Sequence, residues 1–229
     1  METETTVFTL FKELVEQYPV ISVSGEAGTG KTSFTLYLLG NLLDFEATCV
    51  WIQASEIFPR KRLITLFQDK KRQYLLKNIY ITPKKGIFNS YNDQLNLLKK
   101  IVDKDFIMPP EIRFIVIDNI SHYLRLEFAN IKDLKKKFIL LDKFYDELLC
   151  PLILKCQRKQ ITLVLLHEVM FDISTQRTRP FFHKLYKRIK GGNINLGKSL
   201  ISKELVMEIV RGDQSISFPF TIKDNGFYF

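Results

Sequence analysis

The chain has 229 residues, 46% hydrophobic and 26% charged, the balance of a folded globular protein with a sizeable core, which excludes the disordered and low-complexity classes. Lysine and arginine outnumber aspartate and glutamate by 34 to 25, a formal net charge of +9 with a pI near 9.3, and such a field favours polyanionic partners, nucleic acid ahead of a membrane surface. No apolar run reaches the ~18 residues of a membrane span, and METETTVFTLFKELVEQYP lacks a signal peptide's basic end and apolar centre, so a cytoplasmic location is expected.

In chain order, residues 1–19 form a short helical extension of a single domain, expected to cover 1–229. Val20, Ile21 and Val23 then mark a buried strand, and Phe34, Leu38, Leu39 and Leu42 recur at helical spacing. Between them lies SGEAGTGKT (24–32). Strand, glycine-rich loop and helix are the context in which Gly25, four residues, Gly30, Lys31 and Thr32 make a phosphate-binding loop. Gly25, Glu26, Ala27, Gly28, Thr29, Gly30, Lys31, Thr32 and Ser33 are the nucleotide-binding candidates. Loop N–H groups turn inward around phosphates, Lys31 reaches the outer phosphates, the Thr32 hydroxyl ligates Mg²⁺, and the helix N-terminus adds anion affinity.

ATCVWIQ (47–53) reads as a second buried strand, and Pro59 opens a basic helix reaching about Leu76, whose cations Arg60, Lys61, Arg62, Lys70, Lys71 and Arg72 read as a solvated face. NIYIT (78–82) is a third strand, and a helix follows from Tyr91 to Val102. RFIVID (113–118) is a fourth strand, and its closing Asp118 fits the acidic group that holds magnesium in nucleotide hydrolases. Ile131, Leu134, Phe138, Leu141, Tyr145 and Leu148 step by three and four, predicting one long helix with a buried stripe that Pro151 ends or kinks. ITLVLL (161–166) is another strand. The end, LVMEIVRGDQSISFPFTI, reads as a hairpin turning at Gly212 and Asp213, so its Arg-Gly-Asp is turn chemistry. Strands alternating with helices predict a doubly wound α/β domain, with a mainly parallel sheet whose strand ends carry both Gly25 and Asp118.

Cys49, Cys150 and Cys156 lie in apolar segments and do not pair evenly, so reduced, buried thiols are expected. QRTRPFFHKLYKRIK (176–190) holds Arg177, Arg179, Lys184, Lys187, Arg188 and Lys190 without an acid, interleaved with Phe181, Phe182 and Tyr186. Cations for a phosphate backbone and rings for bases suit single-stranded nucleic acid; the alternative is a solvated basic helix whose rings enter the core.

GEAGTGKTSFTLYLL, VWIQASEIFPRKRL and FIVIDNISHYLRLEF, in this order and spacing, resemble the ATPase core of RecA-type recombinases, especially the archaeal RadA and RadB proteins. The resemblance covers most of the chain and implies a P-loop NTPase of RecA-like fold, using ATP and Mg²⁺, with Thr32 and Asp118 on the metal. It also implies a single-domain archaeal paralogue that binds DNA, single strands first, and assists the main recombinase or another paralogue in recombination and repair. The family's N-terminal DNA-binding domain and polymerisation linker are expected to be absent, and the 176–190 segment falls at its second DNA loop.

Two departures stand out. Where the family carries the glutamate that activates water, this chain has Ser55, with Glu56 one residue late; where the family has an Asn-Gln sensor of the γ-phosphate, it has His167 and Glu168. A carboxylate there repels the phosphate unless protonated or paired. Lys31, Glu56, Asp118 and Glu168 are thus the catalytic candidates, in a site expected to bind nucleotide and turn it over slowly. Two alternatives stand beside this reading: a non-catalytic RecA-fold adaptor that docks on a recombinase, and a P-loop small-molecule kinase. HEVMF is not a zinc motif, because Phe171 stands where the second histidine is required.

Overall fold

The computed structural model describes residues 2–173, 177–199 and 204–229, with side chains from residue 7 onward except that of residue 177. The elements run α1 (Glu2–Gln17), β1 (Val20–Gly25), α2 (Lys31–Leu42), β2 (Thr48–Gln53), α3 (Arg60–Leu66), α4 (Asp69–Asn78), β3 (Ile79–Thr82), α5 (Tyr91–Val102), β4 (Ile112–Asp118) and α6 (His122–Asn130). They continue with α7 (Leu134–Phe144), a π-helical turn (Tyr145–Leu149), α8 (Cys150–Arg158), β5 (Thr162–Asp172), β6 (Arg177–Pro180), α9 (His183–Tyr186), β7 (Gly192–Lys198), β8 (Leu205–Arg211), β9 (Gln214–Lys223) and β10 (Gly226–Tyr228).

The sheet order is β10-β9-β8-β7-β1-β5-β4-β2-β3, with β6 paired to β5. Strands β3, β2, β4, β5, β1 and β7 are parallel neighbours, whereas β8, β9 and β10 add antiparallel at one side. The turn at Gly212 and Asp213 sits where expected, between the paired Arg211 and Gln214.

Both faces of the parallel part are covered, which explains its near-continuous apolar strands. Ile21, Val23, Cys49, Trp51, Phe114, Val116, Val164 and Leu166 face one core, shared with Val7, Phe11 and Leu14 of α1, Phe34 and Leu38 of α2, and Phe227. Their neighbours Val20, Val50, Ile52, Ile115, Ile117, Leu163 and Leu165 face a second core with Leu98 of α5, Phe144 and Leu152. This alternation decides which way each residue at a strand end points.

The structure corrects four expectations. The basic helix after Pro59 is two helices, α3 and α4, broken where Phe67 and Gln68 turn extended and Asp69 takes a left-handed φ of 46°. The long helix does not stop at Pro151: Cys150 donates its N–H to Tyr145 O through a π turn, and α8 starts with the proline in its first turn, where a missing N–H costs little. The stripe on that helix is buried only at its far end, since Leu134 and Phe138 are 66% and 59% exposed. Lastly, Cys49 and Cys156 are buried, but Cys150 is only half-buried.

Candidate nucleotide-binding site

Strand β1 ends at Gly25 between β5 and β7, so the loop that follows leaves the carboxyl edge of the sheet. Gly25 is required there by close approach: a Cβ on it would lie 2.3 Å from Leu196 O of β7. Thr29 closes the loop, its N–H and its hydroxyl both donating to Glu26 O at 3.3 and 2.8 Å. Gly28 and Gly30 have φ of 78° and 87°, left-handed conformations that an L side chain resists. Phe34 N then donates to Gly30 O at 2.7 Å, and α2 starts with no acidic residue in its own first turn. The Lys31 ammonium folds over the loop and donates to Gly25 O and Glu26 O, each at 2.8 Å.

Thr32 Oγ1 donates to Asp118 Oδ2 at 3.0 Å, joining the loop to the end of β4. Asp118 alternates with Ile117 and so points to the face that carries α2. Burial pushes its carboxyl up to about 6, against the hydrogen bond from Thr32 and the charge of Lys31; Glu56 and Glu168 push it further up. Burial likewise lowers the Lys31 ammonium, opposed by Asp118, Glu168, Glu56 and Glu26. A hydroxyl and a carboxylate oxygen in contact are a donor pair for a hard cation. Among the described residues no cluster of three or more His, Cys, Asp or Glu is built to hold a metal, so Mg²⁺ here would draw its other ligands from phosphate and water oxygens. The residues fit that mode of binding.

The two expected bases sit differently. Ala54 N and Ser55 N donate to Asp118 O at 2.6 and 3.2 Å, stitching the chain after β2 to the end of β4. Buried Gln53 fixes the same turn, accepting from Phe58 N at 2.8 Å and donating to Pro83 O and Gly86 O. Glu56 is exposed at this turn, near enough to act on both Asp118 and Lys31. His167 and Glu168 point to opposite faces. His167 is fully buried in the second core, its Nδ1 3.3 Å from Ser121 Oγ and its ring 4.3 Å from that of Tyr186, and burial lowers it to about 3, so it is a neutral core residue. Glu168 lies beside Gly25 in register, with Arg125 Nη1 2.9 Å from Oε2 and His122 Nδ1 3.6 Å from Oε1.

The basic segment is not a free helix. Arg177–Pro180 forms β6, which pairs antiparallel with the end of β5, and only His183–Tyr186 is helical. Its rings are engaged. Phe181 lies under the Arg125 guanidinium at 4.7 Å, Phe182 packs edge-on against Phe128 at 5.2 Å, and Tyr186 is buried. Arg179 pairs with Asp172 at 3.2 Å, and Arg188 lies 3.8 Å above the Tyr145 ring while reaching Asp142 and Asp146. Lys184, Lys187 and Lys190 are exposed, with no ion-pair partner among the described residues. Gln176 and the side chain of Arg177 lie outside what the structure describes.

Several contacts had no clear sequence signal. Ser24 Oγ donates to Asn195 Oδ1 at 2.7 Å, and Asn195 Nδ2 to Glu208 Oε2 at 2.9 Å, tying the base of the loop to β7 and β8. Arg62, read as a solvated cation, donates to Lys223 O and Asp224 O at 2.9 Å and approaches Ser33 Oγ at 3.3 Å, pinning α3 to the start of α2 and the last hairpin. A lone arginine in a basic run gives no warning of such a role.

A glycine loop on β1, an aspartate at the end of β4, β5 between them, and helices on both faces define a RecA-like P-loop fold. A solved structure described as the RadB recombinase matches it over 91% of this chain and 89% of that chain, with a TM-score of 0.66 and 18% sequence identity. No family model and no curated protein matches the sequence.

Proposed function

We propose that this chain is an ATP- and Mg²⁺-binding recombination protein of the RadB type, a cytoplasmic archaeal paralogue. It binds DNA, works with a main recombinase or another paralogue, and hydrolyses ATP slowly. The observation that carries this reading is the 3.0 Å contact between Thr32 Oγ1 and Asp118 Oδ2, which joins a hydroxyl and a carboxylate from separate elements at the mouth of a phosphate loop. In the proposed site the loop N–H groups and Lys31 hold the phosphates, Thr32 and Asp118 orient the cation, and Glu56 positions water. Bound Mg²⁺ would offset the negative charge of the outer phosphates. Slow turnover fits a base on an exposed turn, with the other candidate carboxylate, Glu168, already held by Arg125.

Two measurements test the proposal. Phosphate release should exceed the Lys31→Ala background and drop to it in Glu56→Ala. Anisotropy of a labelled single-stranded oligonucleotide at fixed salt should report binding that ATP·Mg changes in the wild type but not in Lys31→Ala. Nucleotide-independent DNA binding with no turnover would favour the adaptor reading, which the engagement of Glu168 by Arg125 supports. Lack of nucleotide binding would sink both halves.

A further inference from the structure

Beside the phosphate loop, Glu168 sits on β5 in register with Gly25 of β1. By strand alternation it points to the face of α2, and its charge acts on both Lys31 and Asp118. An acid here faces the end of the site where the outermost phosphate of a nucleotide would lie, the region Lys31 reaches. Like charges at such a place, only about a third exposed to solvent, disfavour each other more strongly than in water.

The cation in contact with Glu168 is a guanidinium. Arg125 Nη1 is 2.9 Å from Glu168 Oε2, and the guanidinium lies 4.7 Å from the centroid of the Phe181 ring. Phe181 is itself fixed, because its N–H donates to Glu168 O at 3.1 Å. His122 approaches the other oxygen at 3.6 Å. Neither Glu168 Oε2 nor His122 Nδ1 has an aligned hydrogen bond among the described residues, so the carboxylate is held by charge rather than by a directional bond. Such a group responds directly to a new charge placed beside it.

We infer that Glu168 determines how well the site distinguishes a nucleoside triphosphate from a diphosphate, and that Arg125 is the positioning residue that sets the size of this effect. The inference rests on the nucleotide-binding reading. Glu168 penalises the terminal phosphate, and Arg125, clamped between Phe181 and the carboxylate, neutralises part of the penalty. A diphosphate, which ends one group short, is affected less.

The test is equilibrium binding of ATP·Mg and ADP·Mg to the full chain, read as the ratio of their affinities. Glu168→Gln, which keeps size and removes charge, should raise the ratio of ATP to ADP affinity about fivefold. Arg125→Ala should lower the ratio by a similar factor, and Arg125→Lys should restore part of it. In the Glu168→Gln background Arg125→Ala should no longer change the ratio, a coupling that loss of packing would not produce. Lys31-dependent binding of both nucleotides with one constant ratio across these variants would overturn the inference while leaving the nucleotide site in place. Absence of Lys31-dependent binding of either nucleotide would overturn the site itself, and this inference with it.

Discussion

Asp118 holds its carboxyl in a nearly dry position at the end of an apolar strand, and the nucleotide-free protein bears the cost. Because burial lifts the carboxyl from 3.8 to about 6, the folded state binds more protons than the unfolded state between those values. The stabilisation of the protonated form is fully present below the unfolded pKa and is lost as the pH rises through about 6. Asp118 should therefore make the apo protein less stable at pH 8 than at pH 5 by about 1 kcal/mol, part of a full penalty of about 3 kcal/mol. His167 acts in the opposite sense, since its pKa is lowered and its contribution is lost as the pH falls below the unfolded value. Urea denaturation of the wild type and Asp118→Asn at both pH values isolates the aspartate, because the His167 effect is common to both. The difference in stability should grow with pH in favour of Asn, while ATP·Mg affinity falls. A pH-independent difference would show that the carboxyl is not raised. The loop was readable at this scale, because glycines at 25, 28 and 30 answer to local φ and close approach. The partner of Glu168 was not, because Arg125 reaches it only once α6 is folded over the end of β5.

At the scale of elements, the segment after β5 divides its cations by what surrounds them. Arg179 and Arg188 are already paired, whereas Lys184, Lys187 and Lys190 face solvent. If single-stranded DNA lies along this segment, those three lysines carry its phosphates, and each contributes about 0.7 to the slope of log affinity against log salt. Replacing all three by glutamine should flatten the slope by about 2 and weaken binding at low salt most. Fluorescence anisotropy over a salt series measures this, and an unchanged slope would place DNA elsewhere. Interleaved cations and rings look alike in sequence whether the rings stack on bases or enter the core. Here the pairing of Val169 with Pro180 brings Phe181 and Phe182 back over α6, where each already touches a side chain of that helix. Strand β7 was equally hard to read: GGNINLG has the composition of a loop, and it becomes a strand because β1 and β8 supply hydrogen bonds at both its edges. Pro151 does not end the helix, because a π turn leads into it and the proline falls in the first turn of α8, where an N–H is least needed.

For the molecule as a whole, the site lies at the junction of both cores. Strand β1 contributes Ile21 and Val23 to one and Val20 to the other, while Arg62 and Asn195 tie the loop region to the last antiparallel strands. A ligand that grips the loop, Thr32 and Asp118 together is thus bound by the folded chain and not by the unfolded one, so its binding energy appears as global stability. ATP·Mg at about one hundred times its dissociation constant should add roughly 2.7 kcal/mol. For a chain of 229 residues that corresponds to a rise in Tm of about 5–10 °C. Differential scanning fluorimetry with and without ATP·Mg measures the rise, and Lys31→Ala should abolish it. A rise confined to one part of a biphasic transition would mean that the antiparallel extension unfolds separately from the nucleotide core, and that the links through Arg62 and Asn195 are too weak to make the sheet one cooperative unit.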